Sequence, residues 1–343
     1  MKKLLNTLYV TTSGAYLRLE GETVVVSAED RELGQIPLLN LTDIVCFNYK
    51  GVSPALMGAC AERGIGLCFL TPSGRFLARV EGEIRGNVLL REVQRKSADD
   101  PEQAVSIART FLQAKIFNSR WTLERTLRDH RQRVNESEMT AAIEIQKNCL
   151  NQLISADDVG GLMGIEGVAA KAYFGVFNQM ILRNEDVFRF DDRNRRPPTD
   201  PTNALLSLTY TLLSNEICGA LESVGLDPYI GYLHQKRPGR RSLALDFLEE
   251  FRAPLADRFV LTQINLGTIT GDDFETKENG AVMLKEGSRK HFLSAWQDRK
   301  HETIRHPYLD EKVEWGIVPY VQALLFARWL RGDLDAYPPF FWK

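Results

Sequence analysis

The N-terminal part of the chain is a series of short runs in which apolar and polar residues alternate or β-branched residues cluster. Turn residues separate the runs NTLYVTT, AYLRLEG, ETVVVSA, GQIPLLN and TDIVCFN. The segment SPALMGACAERG has helical spacing instead and ends at Gly64, after which IGLCFL and RFLARVEGE return to the strand pattern. The pattern predicts a small β-rich domain with one helix over residues 1–88.

From about Leu89 onward the apolar residues recur at the spacing of a helix. This pattern predicts helices over 101–134, 141–154, 202–224 and 315–329, and the stretch SADD from Ser155 is typical of a further helix start. We therefore predict an α+β fold, with the small β-rich N-terminal domain followed by a larger all-α domain over 89–343.

Composition excludes several classes of protein. The chain has 343 residues, of which 44% are hydrophobic and 26% charged, so it is neither disordered nor a disulfide scaffold. Its net charge of −2 argues against a polycation that coats nucleic acid, so any phosphate binding must come from local patches. The five cysteines form no CxxC pair, which favours buried thiols in a reducing compartment over a thiolate zinc site.

Neither candidate membrane segment has the required pattern. The N-terminus MKKLLNTLYVTT is basic and then apolar, but Asn6 and Thr7 interrupt it and no small-residue cleavage site follows. The longest uncharged stretch, 201–215, is shorter than a membrane span and contains Ser, Thr and Asn. We predict a soluble, cytoplasmic protein that does not contact a membrane.

Residues 231–252, GYLHQKRPGRRSLALDFLEEFR, combine an imidazole, a block of cations and several carboxylates. On a helix beginning at Ser242, Asp246 and Glu249 lie one turn apart and repel each other unless a cation lies between them. Carboxylate oxygens suit Mg²⁺ or Mn²⁺, and an imidazole such as that of His234 favours Mn²⁺. The alternative, a solvated acidic face beside a structural histidine, remains open from spacing alone.

A third ligand must come from elsewhere in the chain, and Glu166 in GGLMGIEGVAAKAYF is the candidate. It lies between Gly164 and Gly167 in an apolar helical pattern, where a charge is unfavourable unless it is paired or metal-bound. An ordinary glutamate near a helix start is the alternative. The connection FRFDDRNRRPPTDPTN, 188–203, contains four arginines, with Arg193, Arg195 and Arg196 close together, and is either a solvated loop or part of a phosphate-binding surface.

Three blocks in this order resemble the family of CRISPR-associated integrases, the larger catalytic subunit that inserts new spacers during adaptation. They are GIEGVAAKAYF around Glu166, RRPPTDPTNALLSLTYTLL from Arg195, and GYLH…LDFLEEFRAPLADRF from Gly231 to Phe259. The start, LLNTLYVTTSGAYLRLEGETVVV, is similar to the type I-C subfamily in particular. The likeness extends over essentially the whole chain.

The resemblance implies a β-rich N-terminal domain, then a helical catalytic domain. It also implies metal ligands at Glu166, His234 and Glu249, and a further catalytic acid at Asp246, which orients a ligand or a metal-bound water. Some members have Asp where this chain has Glu249, so direct or water-mediated binding both remain open there. The implied metal is Mg²⁺ or Mn²⁺.

The implied reaction is a transesterification, in which the 3′-hydroxyl of a short duplex DNA fragment attacks a phosphodiester at the end of a CRISPR repeat. It requires no nucleotide energy source, which agrees with the lack of a GxxxxGK[ST] loop. The residues predicted to hold the DNA backbone are cationic: Arg193, Arg195, Arg196, Lys236, Arg237, Arg240, Arg241, Lys285, Arg289 and Lys290.

The resemblance also implies partners. Insertion needs two cuts at a fixed separation, so a homodimer is expected, with contacts through edge strands of the β-rich domain. A small second adaptation protein would bridge two such dimers into a hetero-hexameric complex on the CRISPR repeat and leader. Two alternatives remain: a metal-dependent endonuclease or branched-DNA resolvase that uses water as the nucleophile, and a non-catalytic DNA-binding scaffold.

Overall fold

The computed structural model describes residues 7–29, 31–47, 50–71, 76–82, 88–183, 186–194 and 197–343. The contacts divide the chain into two compact units. The first consists of Met1–Arg85, Leu284–Ile304 and Glu314–Ile317, and the second of Gly86–Met283, Arg305–Val313 and Val318–Lys343. The boundary near residue 85 lies close to the end of the predicted β-rich domain.

The first unit contains two sheets and one helix from its N-terminal part. Their bounds are β1 Thr7–Val10, β2 Tyr16–Glu20, β3 Thr23–Ala28, β4 Arg31–Pro37, β5 Asp43–Cys46, α1 Pro54–Arg63, β6 Gly66–Leu70 and β7 Phe76–Val80. One sheet has the order β1-β5-β6-β7, with β7 antiparallel to its neighbour and the other pairs parallel. The other sheet is the antiparallel meander β2-β3-β4.

Apolar side chains from both sheets and α1 form one buried cluster, here called the strand core. Its members include Leu17, Val24, Ile44, Leu56 and Leu67. Their alternation along the strands is the period-2 pattern in the sequence, since one face of each strand points into this cluster. The helix α1 ends at Gly64, whose φ of 65° is left-handed, as the sequence predicted for the stop.

One later helix belongs to the first unit rather than to the second. This helix, α9 Glu286–His301, places the Arg289 guanidinium 5.6 Å from the centre of the Phe47 ring. Its Lys300 ammonium donates a hydrogen bond of 3.0 Å to the Thr7 hydroxyl. The predicted domain 89–343 had included this helix, because helical spacing shows that one face is buried but not which element covers it.

The second unit is mainly helical. Its helices are α2 Val88–Asp99, α3 Pro101–His130, α4 Glu136–Ile154, α5 Val159–Gly175, α6 Pro201–Ser223, α7 Ser242–Phe251, α8 Arg258–Leu266 and α10 Val318–Leu330. Residues Arg252–Asp257 form a π-helical segment between α7 and α8. The region 89–343 is not entirely α-helical, because it contains the short strands β8 Phe274–Thr276, β9 Val282–Leu284, β10 Thr303–Arg305 and β11 Lys312–Glu314. The mixed α+β class, strand-rich first and helical afterwards, is confirmed.

Aspartates cap the first turns of three of these helices, α3, α5 and α6. Asp158 accepts a hydrogen bond of 2.8 Å from the Gly161 amide at the start of α5, within the predicted SADD stretch. Asp200 caps α6, followed by Pro201 at the first helical position. By length and composition α6 is apolar enough to cross a membrane, but 67% of that window is buried inside the protein, as expected of a core helix.

Candidate active site

Helix α7 and the π-helical segment carry an unusual concentration of buried acids. Among the described residues, the fully buried carboxylates are Asp246, Glu249, Glu250 and Asp257, all within this short stretch. The predicted apolar stripe of Leu243, Phe247 and Phe251 is also buried. The alternative of a solvated acidic face is therefore wrong, and each of these carboxylates requires a partner.

Asp246 fixes the loop that carries His234. Its carboxylate accepts hydrogen bonds from the backbone amides of Tyr232 at 2.7 Å, Leu233 at 3.1 Å and His234 at 2.9 Å. The His234 Nδ1 lies 2.7 Å from the same carboxylate. Burial raises the pKa of Asp246, and the hydrogen bond from His234 opposes that rise. With Nδ1–H donating to Asp246, the ring nitrogen Nε2 remains for a ligand.

Gly231 makes this close approach possible. A Cβ at this position would lie 2.6 Å from the carbonyl carbon of Ser242 and 2.8 Å from the Asp246 Oδ2. Any other residue would push the loop away from the first turn of α7. The sequence G-Y-L-H therefore places its histidine beside α7 because its first residue has no side chain.

Glu249 and Glu166 share one cation, the ammonium of Lys115 on α3. The Lys115 Nζ lies 2.7 Å from Glu249 Oε2 and also forms an ion pair with Glu166 Oε1. Glu249 Oε1 pairs with Arg252 at 3.0 Å. Burial alone would raise the pKa of Glu249, but Arg252, Lys115 and His234 together lower it to about 2. Glu249 is therefore ionised throughout the neutral range.

These side chains face a cleft of about 730 Å³. Its lining includes all three predicted ligands together with Lys115, Arg193, Tyr210, Arg252 and Asp257. The structure thus brings together Glu166, His234 and Glu249, which are far apart in sequence. Their role as metal ligands stays a prediction.

These side chains fit a hard divalent cation. The carboxylates of Glu166 and Glu249 come from different helices and already share one positive charge, and Asp246 orients the imidazole of His234. Within the described part of the chain, no three His, Cys, Asp or Glu side chains are already grouped as a metal site. Lys115 occupies the space between the acids. A metal ion at this position would therefore need the Lys115 side chain to move.

A second group of polar residues lies in the cleft, and of its members only Arg193 was predicted as a site residue. Asp257 accepts hydrogen bonds from the hydroxyls of Tyr173, at 3.0 Å, and Tyr210. The guanidinium carbons of Arg252 and Arg193 lie 4.6 Å and 5.4 Å from the centre of the Tyr210 ring. Burial raises the pKa of Asp257 to about 6. The block FRAPLADRF contained Arg252 and Asp257, but nothing in its spacing indicated the tyrosines.

The π-helical segment explains why Arg252 and Asp257 reach the same ring. Pro254 has no amide hydrogen, so the carbonyl of Glu250 loses its usual helical donor four residues later. The Asn118 side chain on α3 donates to that carbonyl at 2.8 Å instead. The wider turn that results is of the kind often found at functional sites.

The C-terminal tail holds α7 from the other side. Glu250 accepts hydrogen bonds from the Tyr337 hydroxyl at 2.7 Å, the Phe340 amide at 2.9 Å and the Gln322 side chain at 3.1 Å. Burial raises the pKa of Glu250 to about 7, although these donors oppose the rise. Asn118 also donates to the Phe340 carbonyl at 2.8 Å. Glu250 is therefore a structural anchor, whereas its neighbour Glu249 faces the cleft.

The cations after His234 have different surroundings. Lys236 and Arg237 are exposed, and Arg240 is half-buried. Lys236 forms an ion pair with Asp99. Arg241 donates to the Asn215 side chain at 2.7 Å and is therefore held against α6. Of the predicted cations in this run, Arg237 and Arg240 have the surroundings that best suit a DNA contact.

The remaining predicted DNA contacts are also placed differently. Arg193 lines the cleft and donates to the Asn203 side chain at 2.6 Å. Arg195 and Arg196 lie outside the described residues. Lys285 and Lys290 are exposed, but they belong to the first unit. Arg289 is buried against Phe47, so its prediction as a DNA contact is not supported: a guanidinium packed on a ring inside a unit is not available to phosphate.

Comparisons with known proteins identify one family by sequence and similar folds by structure. The family described as CRISPR associated protein Cas1 matches residues 8–298. A protein from Chlorobaculum tepidum named CRISPR-associated endonuclease Cas1 1 is 49% identical over 343 residues, covering 100% of both chains. The fold is similar to a casposase bound to its integration product, with a TM-score of 0.85, 20% identity, and 98% and 93% of the two chains covered. It is also similar to a Cas6-RT-Cas1–Cas2 complex, with a TM-score of 0.84, 24% identity, and 100% of this chain and 36% of that one covered.

Proposed function

The chain belongs to the CRISPR-associated Cas1 family, and from that premise we propose that it is a metal-dependent DNA integrase. It would insert short DNA fragments into a CRISPR array by attack of a fragment 3′-hydroxyl on a repeat phosphodiester. The observation that carries the proposal is the convergence of Glu166, His234 and Glu249 on one cleft, where the two glutamates share the cation of Lys115. The assignment to the type I-C subfamily and the cytoplasmic location stay predictions.

Glu166, His234 and Glu249 would hold the metal, which is Mg²⁺ or Mn²⁺. When bound, the ion would neutralise charge on the phosphate oxygens and lower the pKa of the attacking hydroxyl. Asp246 is then a positioning residue, because it contacts the imidazole and the loop amides rather than the cleft. It keeps the His234 Nε2 directed away from itself and available to a ligand.

The cations in and beside the cleft would position the DNA. Arg252 and Arg193 both lie against Tyr210, which limits their freedom and keeps two guanidinium groups at the cleft wall. Planar guanidinium groups bind phosphate oxygens in a fixed geometry, so they suit the reacting phosphodiester. Lys236, Arg237 and Arg240 follow His234 directly and would hold the backbone on either side of it.

The proposed partners are DNA and a small second adaptation protein. Two proteins of similar fold support this proposal, one described as bound to an integration product and the other as part of a complex with Cas2. Insertion at both ends of a repeat requires two active sites at a fixed distance, so we propose a homodimer that joins a hetero-hexamer. The edge strands of the first unit remain the proposed dimer contact.

A metal-dependent endonuclease that uses water is the second candidate, since the relative from Chlorobaculum tepidum is named an endonuclease. The two reactions differ only in the attacking oxygen, and the same side chains serve both. The scaffold alternative is disfavoured, because a DNA-binding surface needs no buried carboxylates directed into a cleft.

The deciding experiment uses a supercoiled plasmid that carries a CRISPR repeat, and a short duplex labelled at its 5′ end. Label joined to the plasmid in the presence of Mn²⁺ supports integration, and a fragment with 3′-deoxy ends should not join. Nicked plasmid without joined label supports the endonuclease instead. Runs with and without the small partner protein show whether it is required.

The matched variants for this assay are Glu166→Gln and Glu144→Gln. Glu166 lies in the cleft, whereas Glu144 is an exposed acid on α4 that pairs with Lys147. Glu166→Gln should abolish joining and Glu144→Gln should retain it. If joining survived in Glu166→Gln, the proposed active site would be wrong.

A further inference from the structure

We propose that Lys115 is an internal counter-cation that occupies the metal position, so that its ammonium and the divalent ion compete for Glu166 and Glu249. The inference rests on the proposed metal site and adds a residue that controls how tightly the ion binds. It follows from contacts of Lys115 that the sequence patterns did not indicate.

Lys115 lies in the middle of the long helix α3 and contacts two of the predicted ligands, Glu166 and Glu249. Its side chain is 17% exposed, and the carboxylates of Glu166 and Glu249 are 24% and 4% exposed. The Lys115 ammonium thus lies between two acids that would otherwise repel each other in a partly dry site.

A divalent ion and this ammonium cannot use the same oxygens together. Mg²⁺ and Mn²⁺ bind carboxylate oxygens at about 2.0–2.2 Å, shorter than any hydrogen bond, and they repel a neighbouring cation. The Lys115 Nζ contacts one oxygen of each acid. Metal binding at Glu166 and Glu249 is therefore an exchange of one cation for another.

The cleft offers the displaced ammonium another acceptor. Gln146 on α4 lines the same cleft, and its Nε2 donates to the Ala169 carbonyl at 2.7 Å. Its Oε1 is buried and has no hydrogen-bond partner among the residues that the structure describes. Because the four-carbon stem of lysine is flexible, we infer that the displaced ammonium turns toward this oxygen.

The first test is Mn²⁺ titration of the full chain, with free Mn²⁺ measured by electron paramagnetic resonance. In Lys115→Met the two acids have lost their internal cation, so Mn²⁺ should bind at least about tenfold more tightly than in the wild type. Lys171→Met is the matched control, because Lys171 is an exposed lysine of the same cleft and forms no ion pair within the described ranges. Its affinity should stay within about twofold of the wild type.

The outcomes separate this inference from the proposed function. If wild type and Lys115→Met bind Mn²⁺ equally, or Lys115→Met binds it more weakly, the competition is wrong and the metal site stands. If neither protein binds Mn²⁺, both proposals are wrong. Tighter binding in Lys171→Met to the same degree would mean that general cleft charge, not Lys115, sets the affinity, and would also overturn the inference.

A second test needs no variant and so remains valid if Lys115→Met does not fold. The wild type is treated briefly with an amine-acetylating reagent, with and without Mn²⁺ or Mg²⁺, and the modified lysines are quantified by peptide mass spectrometry. Displacement by the ion should raise the acetylation rate of Lys115 at least about threefold, because an amine freed from its ion pairs is more reactive. Lys171 should be unaffected, and an unchanged or slower rate at Lys115 would overturn the inference.

Discussion

The strand core and the candidate active-site cleft are stabilised in opposite ways. The strand core is a cluster of apolar side chains, and its removal from water favours folding with no polar group to satisfy. The cleft instead contains a group of ionised side chains, and Glu249 remains charged because Arg252, Lys115 and His234 lower its pKa. Buried ion pairs contribute little net stability, so the cleft is better explained by chemistry than by folding.

This contrast predicts that changes in the cleft affect activity and changes in the strand core affect stability. The largest effect is expected at His234. His234→Ala should reduce fragment joining by on the order of a thousandfold, because it removes a proposed metal ligand and leaves the acids in place. DNA binding and thermal stability should change little. The measurement is joined label per folded protein, with His301→Ala as the control, since His301 is a histidine at the end of α9 paired with Glu314. Full activity in His234→Ala would remove it from the site.

The converse effect is expected in the strand core. Leu17→Ala should destabilise the protein by about 2–5 kcal/mol, because Leu17 is fully buried and its loss leaves a cavity. Urea denaturation measures this change, and the joining rate per folded molecule should be unchanged. Leu39→Ala is the control, since Leu39 is 84% exposed and its truncation should cost under about 0.5 kcal/mol. If Leu17→Ala lowered the joining rate per folded molecule, the strand core and the cleft would not be separable in this way.

Glu250 gives a smaller effect that depends on pH. Because burial raises its folded pKa from 4.5 to about 7, its contribution to stability is present below the unfolded pKa and is lost as pH rises through about 7. Glu250→Gln mimics the protonated acid and should escape this loss. Between pH 5 and pH 8 the free energy of unfolding of the wild type should therefore fall by on the order of 1–3 kcal/mol relative to that of Glu250→Gln.

Urea denaturation at the two pH values measures this difference, with Glu144→Gln as the exposed-acid control. An offset between wild type and Glu250→Gln that stays constant with pH would contradict the raised pKa. It would also weaken the contrast, because the inner acid would then behave like any surface residue.

The smallest effect is expected from the exposed cations after His234. Charge reversal of both Arg237 and Arg240 should weaken DNA binding and reduce the slope of log affinity against log salt by roughly one per lost phosphate contact. Arg241 is unsuitable for this test because reversal would also break its bond to Asn215. Lys147→Glu, on the exposed face of α4, controls for net charge. An unchanged slope would return Arg237 and Arg240 to ordinary surface residues.

Sequence reasoning identified the parts of the site that have a local signal. Strand alternation and helical spacing predicted the two-part organisation, and motif resemblance brought together Glu166, His234 and Glu249. Lys115 had no such signal, because it lies 51 residues before Glu166 on an amphipathic helix where lysine is common. Its function depends on which helices pack together, which a periodic pattern does not specify.

Two other features were out of reach for similar reasons. The tyrosines around Asp257 come from α5 and α6, so only the packing of three elements reveals that they share one carboxylate. Arg289 was predicted as a DNA contact because positive charge suggests phosphate, but its neighbour in space is Phe47. Charge in a sequence indicates what a residue can bind, and burial decides whether it is available.

The ties between the C-terminal tail and α7 have a consequence for protein synthesis. Glu250 is held by Tyr337 and Phe340, and Asn118 contacts both the Glu250 carbonyl and the Phe340 carbonyl. A chain still emerging from the ribosome lacks these partners until Tyr337 and Phe340 have been made. The hydrogen bonds that hold the buried Glu250 therefore form late, and α7 reaches its final packing only after that part of the chain is available.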